Sequence, residues 1–415
     1  MNLSGKRVLY ISYNGMLDPL GQSQVIPYLK ELAKLGLEFT LVSFERPQAF
    51  TAEGLKRCQE LQQELALSKI DWHKLRYHKT PSLPATAYDV IAGIRYCAPL
   101  VRKRKIELVH ARSHIPATIA WRLKQRFGVK MIFDLRGLMA DEYVDAGHWR
   151  KDSVRYQLTK GAERRALTAA DGVVTLTERI WPTISEWGAL RNRKVAHEVV
   201  PCCADLAIFR FDEAARNRVR LELGLNDQFV IVYSGSIDGW YLTEEMADFF
   251  VVLKNQNQRT HFLWLTTTRH ERIKSIMRNR RITETAYTVI AATPRDVPSY
   301  LSAADAGLAF IKPCFSKLAS SPTKYAEYLG CGLPLIINAG VGDSDDLILE
   351  HGAGVLAEGF GASDYLQAAI EIKEFVDDAR HTRSRAREVA EQLFDLRKVG
   401  VRRYARLYES LLNAS

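Results

Sequence analysis

The segment most able to do chemistry is Ser320-Ser321-Pro322-Thr323-Lys324-Tyr325-Ala326-Glu327-Tyr328-Leu329-Gly330-Cys331-Gly332-Leu333-Pro334. Ser321 suits an N-cap and Pro322 the first helical position, so the reading starts a helix here with free backbone N–H groups and a positive dipole end. A cation in the first turn opposes that dipole unless an anion is bound, so Lys324 points to a phosphate partner. Glu327, three residues on, shares its face. A carboxylate just beyond a phosphate site can accept hydrogen bonds from both hydroxyls of a ribose. Gly330 and Gly332 end the helix and allow a tight return into a strand. The same residues also fit an ordinary capped helix with a solvated Lys and Glu, and the segment alone leaves both readings open.

The elements that must position this segment follow from hydrophobic periodicity. Arg7–Ser12 reads as a strand, residues 22–35 as a helix stopped by Gly36, and residues 38–44 as the next strand, which makes a βαβ unit. Further strands are expected over 107–110, 129–134, 172–176 and 195–200, with a helix over 153–169. The alternation pauses at Pro201-Cys202-Cys203-Ala204-Asp205. It restarts after a polar helix over 212–223 with the apolar run Phe229–Ser234. Strands over 261–267, 287–290, 306–310, 333–338 and 354–356 follow, and helices over 243–254, 298–304 and 344–350 connect them. The tail, 380–412, reads as helical with a break near Asp395. The fold class expected is α/β, with an N-terminal Rossmann-like domain over 1–205, a second over 206–390, and a C-terminal helix over 391–415 packing back on the first.

Composition narrows the function classes. The 415 residues are 47% hydrophobic and 26% charged, the range of a folded globular chain. No apolar run is long enough to span a membrane, and the apolar residues after Arg7 are too few for a signal peptide, so a cytoplasmic location is expected. The six cysteines show no zinc spacing. Residues 1–205 carry 32 Lys and Arg against 21 Asp and Glu, whereas the remainder carries 26 against 27. That excess favours an acidic partner on the N-terminal half, an anionic membrane surface included, although solvated helix ends such as Arg102-Lys103-Arg104-Lys105 account for it equally well. No nucleic-acid-binding module accompanies the charge. Asp343-Ser344-Asp345 formally matches a metal-binding Asp-x-Asp but reads as a helix start, so no metal and no cofactor are expected.

In order along the chain, the sequence resembles glycosyltransferase family 4, whose members are retaining enzymes of the GT-B fold, two Rossmann-like domains facing each other across a cleft. Asp18-Pro19-Leu20-Gly21-Gln22-Ser23-Gln24 is similar to the family's glycine loop, Val200-Pro201 with Asp205 and Phe209 to its interdomain linker, and Tyr233-Ser234-Gly235-Ser236 to the first strand and turn of the donor domain. Tyr300 to Asp305 resembles the stretch before the donor helix, and Lys324 to Pro334 the helix itself. The resemblance implies a nucleotide diphosphate sugar donor bound by Gly21, Gln22, Ser234, Gly235, Ser236, Ser320, Ser321, Lys324 and Glu327, with base contacts near Thr267 and the Thr293-Pro294-Arg295 turn. It implies same-face transfer to a hydroxyl acceptor, a glycan or lipid-linked glycan precursor of polysaccharide biosynthesis.

Departures from the family pattern matter as well. The first of the family's two glutamates is replaced by Ala319, so the backbone N–H groups and hydroxyls of Ser320 and Ser321 are left to meet the sugar. The Arg and Lys after the donor-domain turn are replaced by Ser236-Ile237-Asp238-Gly239-Trp240-Tyr241, which leaves Lys324 to supply the charge. The family's strand-end histidine is replaced by Asp134, with Arg136 beyond it, so Lys324, Asp134 and Arg136 are the catalytic candidates. Arg112 and His114 are the acceptor-binding candidates, Arg112 because a guanidinium matches carboxylate or phosphate geometry. A nucleotide-sugar epimerase and a non-catalytic binding homologue are the alternatives.

Overall fold

The computed structural model describes residues 3–413 and divides into two compact units, one formed by residues up to Pro201 together with those from Leu396 on, the other by Cys202–Asp395. The N-terminal unit holds β1 (Arg7–Ser12), β2 (Glu38–Glu45), β3 (Ile70–Arg76), β4 (Leu108–Arg112), β5 (Lys130–Asp134), β6 (Gly172–Thr175) and β7 (Ala196–Val199). The C-terminal unit holds β8 (Phe229–Ser234), β9 (Thr260–Leu265), β10 (Tyr287–Ile290), β11 (Ala306–Ala309), β12 (Leu335–Asn338) and β13 (Gly354–Ala357).

Both sheets are wholly parallel, in the orders β3-β2-β1-β4-β5-β6-β7 and β10-β9-β8-β11-β12-β13. Strands buried on both faces read as continuous apolar runs, which is why β1 and β8 are legible to the residue. The order reverses between β1 and β4 in one sheet and between β8 and β11 in the other. Ligands of open α/β sheets bind outside the carboxyl ends of the strands at such reversals. In the first unit those ends are Ser12 and Arg112, paired in register, with Arg112 paired in turn to Asp134.

One strand was not anticipated and two expectations are corrected. The strand β3, Ile-Asp-Trp-His-Lys-Leu-Arg, buries only Ile70 and Trp72 at the sheet edge and so lacks the apolar run that marks the others. The helix expected over 22–35 begins earlier and is broken, as Pro19–Gln24 and Ile26–Lys34, because Pro27 has no N–H and its ring crowds the carbonyl four residues back. The helix of the Ser320 segment spans Thr323–Gly330 with Pro322 as its N-cap, so Ser321 is not the cap; its hydroxyl accepts the Cys202 N–H at 3.1 Å instead.

The chain leaves the C-terminal unit where Ala204 bridges to Asp395 and the Ala204 N–H meets the Phe394 carbonyl at 3.0 Å. It then forms a π-helical turn, Leu396–Val401, and the helix Arg402–Leu412. That helix lies so close to β6 that a Cβ on Gly172 would sit 2.9 Å from the Leu411 side chain. No helix among the described residues is long and apolar enough to cross a membrane.

Candidate functional site

In the C-terminal unit β8 runs out into Gly235, whose φ of +135° is open to glycine but strained for other residues. A Cβ there would lie 3.2 Å from the Lys324 Nζ, so the turn rests directly on that ammonium. Helix Thr323–Gly330 is drawn in by Tyr328. Its hydroxyl accepts the Ser234 N–H at 2.7 Å, and its ring lies where a Cβ on Gly307 would be, 2.2 Å away. Gly307 thereby lets the helix approach β11 and places Lys324 beneath the β8 turn.

Lys324 is 6% exposed, and its Nζ has no hydrogen-bond partner. What surrounds it is aromatic: the Tyr241 and Tyr233 ring centres lie 3.5 and 4.1 Å away. Ring faces offset part of the cost of a buried cation but satisfy none of its donors. Burial pushes its pKa well down, against the opposing pull of Glu327. Glu327 is half-buried; burial pushes its carboxyl up to about 7, with Lys324 holding it back. The Lys324 ammonium is thus short of an acceptor, and the helix that carries it opens without a side-chain cap. An oxyanion placed at this helix start would supply acceptors to Lys324 and to the free amides together.

Sequence reasoning misses Lys317. It lies in the 3-10 turn Phe315–Ala319, 6% exposed, with its Nζ 3.9 Å from the Trp240 ring centre. The sequence shows no cation beside Trp240; the tertiary fold brings one from 77 positions further along, and its only local signal is a lysine shortly before the Ser320 segment. Ala319 is buried at the end of that turn, and Ser320 and Ser321 follow it half-buried. Ser236 is exposed, and its carbonyl accepts the Tyr233 hydroxyl. Thr267 and Arg295 are exposed beyond β9 and β10, and the structure does not bring either into the Lys324 cluster. Among the described residues no group of three or more His, Cys, Asp or Glu could hold a metal ion.

In the N-terminal unit Gly21 is buried where a Cβ would meet the Gly15 carbonyl at 2.2 Å, and Gln22 Nε2 donates to the Met16 carbonyl at 2.6 Å. Both residues lock the helix start onto the loop after β1. The Glu45 carboxylate holds that loop from the other side by accepting the Met16 N–H at 2.7 Å.

Asp134 and His114 are both buried among partners of their own. Asp134 is completely buried; Tyr404 donates to its Oδ2 at 2.8 Å, and His110 Nε2 lies 3.3 Å away. His110 Nδ1 in turn meets the Tyr408 hydroxyl at 2.6 Å. Burial would raise the Asp134 pKa, yet Arg136, His110 and Arg112 hold it at about 2. The carboxylate anchors the C-terminal helix to β5 through Tyr404, while its Oδ1 has no hydrogen-bond partner. His114 is buried with its Nε2 2.9 Å from Glu163, itself paired with Lys160. Arg136 Nη1 stands 3.7 Å from Asp134 Oδ1. Arg112 is 5% exposed at the end of β4.

Residues 24–203 match the family model described as "Glycosyl transferase 4-like domain". No curated protein sequence matches the chain. Among solved structures it is similar to sucrose-phosphate synthase from Thermosynechococcus elongatus, with a TM-score of 0.73 and 16% identity over 99% of this chain and 100% of that one. It is similar to Anabaena HepE in complex with UDP and glucose, with a TM-score of 0.71 and 13% identity over 99% and 100%. WaaG, a glycosyltransferase involved in lipopolysaccharide biosynthesis, gives 0.67 and 13% over 94% and 97%.

Proposed function

From the premise that residues 24–203 are a glycosyltransferase 4-like domain in a chain of GT-B fold, we propose that the protein transfers a sugar, with retention, from a nucleoside diphosphate donor to a hydroxyl acceptor. The observation that carries this reading is the buried Lys324 ammonium, without a hydrogen-bond partner, beneath Gly235 at the β8 reversal point. A donor diphosphate laid across the Gly235 turn and the start of helix Thr323–Gly330 gives Lys324 its acceptors, and Glu327 takes the ribose hydroxyls. Charge growing on the leaving diphosphate is stabilised by a preorganised cation, worth about 3–4 kcal/mol when such a group is removed from other enzymes. The acceptor hydroxyl attacks on the face the diphosphate leaves, and a phosphate oxygen takes its proton, so no protein nucleophile is needed. Lys324 supplies the charge that a metal would otherwise bring, and Lys317 beside Trp240 adds to it.

UDP-glucose is the first donor to test, because HepE binds UDP and glucose and the same fold is present here. Purified protein is incubated with UDP-, GDP-, dTDP- and ADP-sugars and with glycan or lipid-linked acceptors, with and without EDTA. Transfer that survives EDTA is the expected result; activity lost to EDTA and restored by magnesium would contradict the metal-free mechanism.

The acceptor we propose is a glycan or lipid-linked glycan precursor presented at an anionic membrane face, to which the basic N-terminal half is drawn. Flotation with anionic liposomes at low salt and release at ~0.5 M salt is the expected behaviour, since the screening length falls to a few ångströms. Binding indifferent to salt would refute an electrostatic association.

A further inference from the structure

In the N-terminal unit the long helices that follow β3, β4 and β5 are Ser82–Lys103, His114–Phe127 and Val154–Ala169. Their crossovers all run the same way along the sheet, from β3 to β4, β4 to β5 and β5 to β6, so right-handed connections put the three helices side by side on one face. The helices after β1 and β2 cross in the opposite direction and cover the other face.

The three-helix layer exposes charge of one sign. Its exposed charged residues are all cations, Arg95, Arg102, Arg122, Arg126, Arg164 and Arg165 among them. None of these six takes part in an ion pair among the described residues. The two acids of the three helices are buried and bound, Asp89 by Tyr13 and His78, Glu163 by His114 and Lys160. The acids of helix Met139–Asp145, which precedes the third, are buried or half-buried. Acids bordering the layer, Asp71, Asp152 and Asp171, are paired with Arg104, Arg150 and Lys124. On the other face helix Ala52–Leu67 exposes Glu53, Glu60 and Glu64 beside Lys56 and Arg57. Cations near a helix C-terminus favour its dipole, and Arg102 and Arg126 lie in last turns. The dipole favours acids in first turns equally, and none of the three helices has one there. Helix stability alone therefore does not account for a layer of one sign.

The same layer exposes large apolar side chains. Tyr88 and Ile91 are 60% and 58% exposed on the first helix, and Val154 and Leu158 are 70% and 56% exposed on the third. Each pair is spaced to share a helix face, which sets it apart from apolar residues scattered singly. On the middle helix Trp121 has the Arg122 guanidinium 4.2 Å from its ring centre and that of Arg165, from the third helix, at 5.8 Å. Nucleic acid would match the cations and leave the aliphatic side chains without a partner. An anionic bilayer matches both, because lipid phosphates meet the guanidiniums, Ile and Leu enter the acyl boundary, and tyrosine stays at the headgroups.

We propose that this layer is the face by which the protein lies on an anionic phospholipid bilayer, with Tyr88, Ile91, Val154 and Leu158 entering the interface and the arginines seated among lipid phosphates. This gives the membrane association proposed above a defined surface. Docking itself does not depend on glycosyl transfer; only the presence of the acceptor in that bilayer rests on the transfer reading.

The test is flotation of the full chain at low salt with phosphatidylcholine vesicles, with and without phosphatidylglycerol. Binding is expected only with phosphatidylglycerol. Arg122→Gln with Arg126→Gln should weaken it about 20-fold, each cation at an anionic surface contributing roughly fivefold, whereas Lys56→Gln with Arg57→Gln, an equal change in net charge on the other face, should leave it within about twofold. Ile91→Glu with Leu158→Glu should abolish binding without lowering the melting temperature, since both side chains are exposed. Equal weakening by the two paired charge variants would overturn the face and leave only a general attraction of net charge. Absence of vesicle binding by the parent protein would defeat both; RNA binding that survives Ile91→Glu with Leu158→Glu, or a dimer lost with them, would then assign the layer to nucleic acid or to a second copy. Failure of sugar transfer with vesicle binding intact would defeat the transfer reading and leave the docking face in place.

Discussion

The carboxyl ends of the two sheets solve one electrostatic problem with different side chains. Both units place a cation with a buried, unpartnered nitrogen near the point where the strand order reverses, Arg112 through Nε in the first and Lys324 through Nζ in the second. Around Arg112 the polar groups form a connected cluster, in which Tyr404 and His110 both meet Asp134 Oδ2 and Oδ1 has no hydrogen-bond partner. Around Lys324 the neighbours are the rings of Tyr233 and Tyr241, and Glu327 is the carboxylate that acts on it. A lysine in an apolar box can give up its proton and regain it when an anion arrives; an arginine cannot. Burial acts accordingly on Lys324, whose pKa it pushes well down.

The largest expected effect lies in the box. Lys324→Met should lower kcat/KM for transfer by about 10²–10³-fold, the usual cost of removing a donor aimed at developing negative charge. Lys324→Arg should rescue little, because the Gly235 turn rests on Nζ and leaves no room for a guanidinium. Activity within a few fold of the parent protein would show that the box is not the donor site. Next in size is the N-terminal cluster. Tyr404→Phe leaves buried Asp134 without its shortest bond and should cost about 1–3 kcal/mol in denaturant unfolding, with melting of the C-terminal helix first. An unchanged midpoint would mean that the helix is held by its apolar face alone.

The smallest effect is a pH dependence that separates the two regions. Glu327 is raised in the folded chain from 4.5 to about 7, so its neutral form is favoured by folding. Its contribution is complete below 4.5 and is lost as pH rises through about 7. Lys324 is shifted the other way, well below 10.5, so the protein without ligand gains stability as pH climbs from the folded value toward 10.5. Thermal melting against pH should show the first slope between pH 4.5 and about 7, and Glu327→Gln should flatten it.

Much of this was open to reading along the chain. Continuous apolar runs flanked by amphipathic helices give the doubly wound strands, because a strand covered on both faces must be apolar throughout, and β3 escaped because an edge strand need not be. Lys324 and Glu327 could be named because their spacing on a short helix is local. Ser321 could not be placed correctly: whether its hydroxyl caps a helix or accepts the Cys202 N–H depends on a residue 119 positions away.

What the sequence by itself determined is the set of elements and the residue types able to meet an anion, since periodicity and side-chain chemistry act over a few residues. Only the tertiary structure decided which of them are free to do so. Asp134 and His114 meet partners on distant segments, Lys317 comes to lie on Trp240, and the Arg112 Nε and Lys324 Nζ are left without hydrogen-bond partners. Whether a buried charge is satisfied is settled by which segments the fold brings within about 3 Å, and no local pattern carries that information.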